Sequence, residues 1–199
     1  MARDPGHAYA KDKRPTDELV ELYLVAPDTD DGRQALAILH YRGGDAEFAH
    51  GARLAKAATE AERVAGADIL AQLGWEERTH LEDSVAILLT LLNDPWDTVV
   101  AAAAIALGHR HHSRAIQPLI ELARHPSSEV RHGVVHGLTG HEDLAAVATL
   151  IELTRDPDRD ARDWATLPSP STRISIHQSC GRHCSRAPRT KIPRSGERP

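Results

Sequence analysis

Apolar residues recur along the chain at the three- and four-residue intervals that set one face of an α-helix against a core. Leu144, Val147, Leu150, Ile151 and Leu153 mark one such face. In the second half the pattern returns as a block. The stretch from Thr98 to Pro126 overlays the stretch from Glu129 to Pro157 without a gap, at a period of 31 residues. Val99 falls on Val130, Leu107 on Leu138 and Leu122 on Leu153, and Leu119-Ile120-Glu121-Leu122 recurs as Leu150-Ile151-Glu152-Leu153. A fixed period of this size marks a solenoid, in which each unit buries its apolar face only against its neighbours.

Traced backwards, the period lengthens. Leu39, Leu73 and Leu107 are 34 residues apart, and so are Leu54 and Leu88, whereas Leu88, Leu119 and Leu150 are 31 apart. The three extra residues fall in the turns that hold Gly43-Gly44 and Gly74-Trp75, where insertions disturb packing least. Each unit then reads as two helices. The pattern predicts helices over 31–42, 46–57, 59–74, 81–93, 95–108, 113–125, 127–139 and 142–155, a further start at 158–166, and a capping helix over Thr16–Ala26. Ser127-Ser128-Glu129 supplies a cap and an acidic first turn, and Thr139-Gly140 closes that helix. Pro95, Pro126 and Pro157 mark unit starts, with proline placed in the first helical turn. Ala101 to Ala104, Gly133 and Gly137 are small enough for close helix contact, which offsets the cost of roughly 0.5–1 kcal/mol for glycine inside a helix.

Composition agrees with helices and not with a β-sandwich, since Ala and Leu dominate the apolar 41% and aromatics are only 4% of the 199 residues. No apolar run is long enough for a transmembrane helix. Met1 to Pro15 is charged and carries no apolar signal core, so a cytoplasmic protein is expected, with residues 1–15 disordered. Charge is divided unevenly. Residues 167–199 carry +6 and the rest carries −11, within a total of −5. An acidic body makes nucleic acid an unfavourable partner. Cys180 and Cys184 form neither a zinc motif nor a disulfide framework.

The order of Ser128-Glu129-Val130-Arg131, the Ala/Gly-rich helix from Ala101 to Gly108 and the two Leu-Ile-Glu-Leu runs resembles HEAT repeats of the short type named after phycobilin lyases. The resemblance covers about residues 28–166. Arg131 to Leu138 and Arg162-Asp163-Trp164-Ala165-Thr166 are similar to a bacterial group of HEAT-repeat proteins of uncharacterised function. The resemblance implies a protein-interaction scaffold, and some relatives assist bilin attachment. The pattern departs from the family after Thr166, where Leu167-Pro168-Ser169-Pro170 stops the helix. Residues 167–199 read as a disordered basic tail. A sharper reading takes them as a further repeat read one base out of frame. In the frame that begins one base earlier, the codon over Cys184 encodes Leu, Met or Val, and the repeat spacing asks for an apolar residue at 169 and at 184. The gene sequence tests this, and a stop or an absent repeat pattern in that frame ends the idea.

Histidine is the one chemically notable enrichment, with seven of 13 between His109 and His141. His132 and His136 share a helical face, as zinc ligands do, but Gly133 stands where a zinc protease has glutamate, and no third ligand is indicated. His141-Glu142 is a single pair in a turn, where a di-iron hydroxylase needs several on different helices. No phosphate loop or nucleophile motif appears, and Asp94, Asp156 and Asp158 read as turn and cap residues. No catalytic residue, metal or cofactor is therefore assigned. Trp75 and Trp96 are expected at turns or helix starts, and Trp164 in the core or on the concave surface. By helical phase Val130, Val134 and Leu138 face the core, leaving Arg131, Val135, His136 and Arg162 as the expected partner-binding stripe; alternatively, the arginines pair with acids of the next unit. The expected architecture is an all-α solenoid of four or so stacked antiparallel helix pairs over 16–166, holding another protein on its concave face. A lyase or lyase accessory subunit of the bilin-attachment type is the first alternative, and a HEAT-fold nucleic-acid-binding protein the second.

Overall fold

Every predicted helix forms, with its ends moved by a few residues. The computed structural model describes residues 9–75 and 77–166. Among them are ten α-helices and no strand: α1 Thr16–Val25, α2 Asp30–Arg42, α3 Asp45–Leu54, α4 Glu60–Ala71, α5 Leu81–Leu91, α6 Asp97–Arg110, α7 Ile116–Glu121, α8 Ser128–Leu138, α9 Leu144–Leu153 and α10 Arg159–Thr166. The expectation for 113–125 is met by a shorter helix, because α7 is flanked by single 3-10 turns at Ser113–Ala115 and Leu122–Arg124. The three prolines stand two places before the first helical residue and not in the first turn. Trp96 and Ser127 are the residues before α6 and α8, so Pro95 and Pro126 precede the caps and do not enter the first turn. Pro157 likewise precedes Asp158, whose carboxylate accepts from the Ala161 amide at 3.0 Å.

The first helices of successive pairs, α2, α4, α6, α8 and α10, pack one on the next, and α3, α5, α7 and α9 form the second row behind them. α1 lies against α2 and reaches α4, so it closes one end. A single core runs from Leu19 to Ala165 with no break. The small residues act where α6 meets α8. A Cβ placed on Gly133 would stand 2.8 Å from the Ala101 carbonyl oxygen, one on Gly137 2.8 Å from that of Ala104, and one on Gly108 2.6 Å from that of His136. No side chain fits in these contacts, so backbone meets backbone.

The two longer turns hold each other. Gly43 and Gly74 both adopt positive φ, and Gly74 N–H donates to the His40 carbonyl at 2.8 Å. Thr79 Oγ1 donates to the Gly43 carbonyl at 2.5 Å. The extra residues thus form a joint between neighbouring units. Trp75 sits in this turn, stacked on Tyr41 with ring centroids 5.1 Å apart, and Trp96 lies under the Arg63 guanidinium at 5.0 Å.

Residues 9–15 make contacts with α2. Tyr9 lies 5.7 Å from Tyr41, and the Arg14 carbonyl accepts from Arg42 at 2.7 Å. The expectations for 1–8 and for the tail, including Ser169, Cys180 and Cys184, lie outside the described residues. Leu153 is buried, and Trp164, near the end of the described residues, is 45% exposed. Among the described residues no helix is long and apolar enough to cross a membrane.

Candidate partner-binding groove

The side of α4, α6 and α8 that no second-row helix covers forms a groove of about 680 Å³, closed at one end by α1 and the loop after it. Its apolar lining includes Val64, Ala101, Ala102 and Ile105, and Ala101 is also where the backbone of α6 meets Gly133 of α8. Among the described residues the charged ones that line it are Glu60, Asp68 and Glu129, with no lysine, arginine or histidine. Glu60 is already engaged by the Thr98 hydroxyl.

Asp68 lies at the α1 end. Its Oδ2 accepts from the Tyr23 hydroxyl at 2.7 Å, and its backbone carbonyl is 2.7 Å from His40 Nε2. Burial pushes the Asp68 carboxyl above the usual carboxylate range, against the opposing effect of the tyrosine hydrogen bond. Tyr23 is pushed well up by burial and then by the neighbouring Asp68 charge. His40 moves the other way, down to about 4, because burial disfavours its cation. The imidazole that braces Asp68 is therefore neutral at pH 7.

The face of α8 that begins at Glu129 continues through His132 and His136. Their Nε2 atoms are 3.2 Å apart, and Trp164 of α10 lies against both rings, 4.4 Å from His136 and 5.9 Å from His132. Burial lowers the His136 pKa, with the charges of His132 and His109 adding to it. Among the described residues no three His, Cys, Asp or Glu side chains are grouped to hold a metal ion.

The expected stripe of Arg131, Val135, His136 and Arg162 divides. His136 is half-buried and lies against Trp164. Val135 is corrected: it is 1% exposed and belongs to the core. α8 touches α6, α7, α9 and α10, so the strip left free is narrower than helical phase alone suggests. Arg131 is drawn into structure, as the alternative reading anticipated. It forks onto Asp156 through Nε at 2.7 Å and Nη2 at 2.8 Å, and its Nη1 donates to the carbonyls of His125 and Pro126. Arg162 Nη1 donates to the carbonyls of Asp156 and Pro157 at 2.6 and 2.8 Å. Both arginines brace turns.

Sequence reasoning missed Tyr23, Val64, Asp68 and Ile105. One signal was present: Asp68 is the single acid in the run Ala65-Gly66-Ala67-Asp68-Ile69-Leu70-Ala71, where an unpaired charge calls for explanation.

Comparison with known proteins agrees with this architecture. The family model described as HEAT repeats matches residues 85–167. The X-ray structure of the Escherichia coli protein YibA superposes with a TM-score of 0.62 at 21% identity, covering 88% of this chain and 67% of that one. A crystal structure of an engineered protein superposes with a TM-score of 0.49 at 18% identity, covering 89% of each chain. No curated protein matches the chain. Residues 85–167 thus match the HEAT-repeat model, and the described residues form an all-α solenoid of stacked helix pairs.

Proposed function

We propose that the protein is a non-enzymatic scaffold that holds another protein in the groove along α4, α6 and α8. The observation that carries this is the groove itself: about 680 Å³ with an apolar lining at Ala101, Ala102, Val64 and Ile105, on the face that stacked repeats leave free. HEAT repeats in general mediate protein–protein contact, which supports the same reading. The acidic lining opposes a polyanion, so nucleic acid is a poor occupant. His136, with His132 and Trp164, extends the proposed surface beyond the groove; Arg131 and Arg162 act on it indirectly, by fixing the helices that carry it.

The test is affinity capture from the native host with the wild-type chain and with Ala102→Trp, which fills the groove at a half-buried position. The expected result is a partner retained by the wild type and lost by the variant, at equal melting temperature. Equal capture by both proteins would remove the concave groove as the binding surface.

A further inference from the structure

Three features of the groove bear on its occupant. Asp68 is desolvated and has one side-chain partner, the Tyr23 hydroxyl, among the described residues. Among the described residues that line the groove there are three carboxylates and no cation, and of the three Glu60 is engaged by Thr98. Val64 precedes Asp68 by one turn of α4, and Ile105 rises beside them from α6.

Resting on the scaffold reading above, we infer that the groove takes a polypeptide segment in which a lysine or arginine lies one helical turn from an apolar side chain, the cation seating on Asp68 and the apolar group on Val64 and Ile105. One turn is about 5.4 Å, so residues at i and i+3 or i+4 of a helical segment match the separation of the two subsites. An acid with one hydroxyl partner, in a place poor in water, is stabilised by a cation far more than a solvated acid is. The tyrosine holds the carboxylate in place while its other oxygen remains for the ligand. Rim acids such as Glu129 steer a basic segment toward the groove.

The experiment uses a phage-displayed library of random peptides, panned on the full chain and on Asp68→Asn, which keeps an oxygen to accept from Tyr23. Peptides selected on the wild type are expected to be enriched in Lys or Arg with an apolar residue three or four places away. On Asp68→Asn the apolar preference remains and the basic one is lost. A selected peptide, made with a fluorophore, should bind the wild type at least tenfold more weakly when its lysine is replaced by norleucine. This second measurement needs no protein variant. Equal binding of the lysine and norleucine peptides, or basic enrichment that survives Asp68→Asn, overturns the inference. Selected peptides that bind Ile105→Glu as tightly as the wild type, or a library that yields no binder, remove the groove reading itself. Loss on Ile105→Glu without any lysine preference removes only the Asp68 anchor.

Discussion

Arg131 and Arg110 occupy repeat positions that fared differently one period later. Arg131 becomes Arg162, and the new arginine donates to the carbonyls five and six residues before it just as the old one does. Arg110 becomes His141. Arg110 is 1% exposed and donates through Nε to the Leu70 carbonyl, through Nη1 to that of Leu73 and through Nη2 to Ser84 Oγ, at 2.7, 3.1 and 3.2 Å. His141 is also buried, but its Nε2 has no partner and its ring stacks on His111 with centroids 4.2 Å apart. The serine is gone as well, since Ala115 stands one period after Ser84. A role served by the residue's own turn survives repetition, because every unit has that turn. A role served by three other segments is lost when one of them changes.

Among the described residues the buried arginine has no carboxylate partner; its bonds go to two carbonyls and a hydroxyl. It bonds carbonyls at the C-terminal end of α4, where the helix dipole is negative and the last carbonyls lack helical partners. Burial still draws its pKa down to about 10, with Arg78 adding to the effect, so it is charged at pH 7. Arg131 is held above its ordinary value by the hydrogen bonds to Asp156.

The contrast is broken most severely at Arg110. Arg110→Leu leaves buried carbonyls and a hydroxyl unsatisfied and should lower stability by about 3 kcal/mol, read from the urea midpoint. Arg110→Lys restores the charge without the fork and should fall between; a Leu variant as stable as wild type would show that water replaces the guanidinium.

Asp156→Ala comes next, at about 2 kcal/mol at pH 7, because two charge-assisted bonds to Arg131 are lost. The hydrogen bonds from Arg131 hold the Asp156 carboxyl below its ordinary range. A carboxyl with a lowered folded-state pKa contributes above its unfolded value of about 3.9 and loses that contribution as pH falls through the folded value. The gap between wild type and variant should therefore persist at pH 5 and close in stronger acid. A gap that closes between pH 7 and 5 would assign the effect to another group.

His141 sharpens the comparison with a smaller effect in a different window. Burial, then the His111 charge, lowers its pKa, with Asp143 opposing. The unfolded chain takes up the proton first, near pH 6.5, so stability declines as pH falls below that value. His141→Leu should lose less stability than the wild type between pH 7 and 5; identical pH profiles would exclude His141 as a contributor. Arg162→Ala should have the smallest effect, under about 1 kcal/mol, since its bonds are confined to the last turn of the described solenoid. A loss as large as that of Arg131→Ala would mean that the two sites couple to the core equally.

The sequence made the repeat legible because leucines such as Leu107 and Leu138 are buried by the same geometry in each unit. Helix ends were less legible, since Pro95 and Pro126 fit either a first turn or the residue before a cap. The site was legible only in part. Helical phase set Val130, Val134 and Leu138 against the core, as they are, but Val135 was not recognised as core, because α8 is touched by helices on more than one side. Asp68 depends on Tyr23, 45 residues away, and no local pattern announces such a partner.

The bare backbone contacts at Gly108, Gly133 and Gly137 limit how the molecule can flex. At these three points the backbones of α6 and α8 are already in contact, so the two helices cannot draw closer there. Spreading the same helices meets no such stop and is resisted only by lost contact. Any adjustment between these two helices is therefore made by separation and not by closer approach.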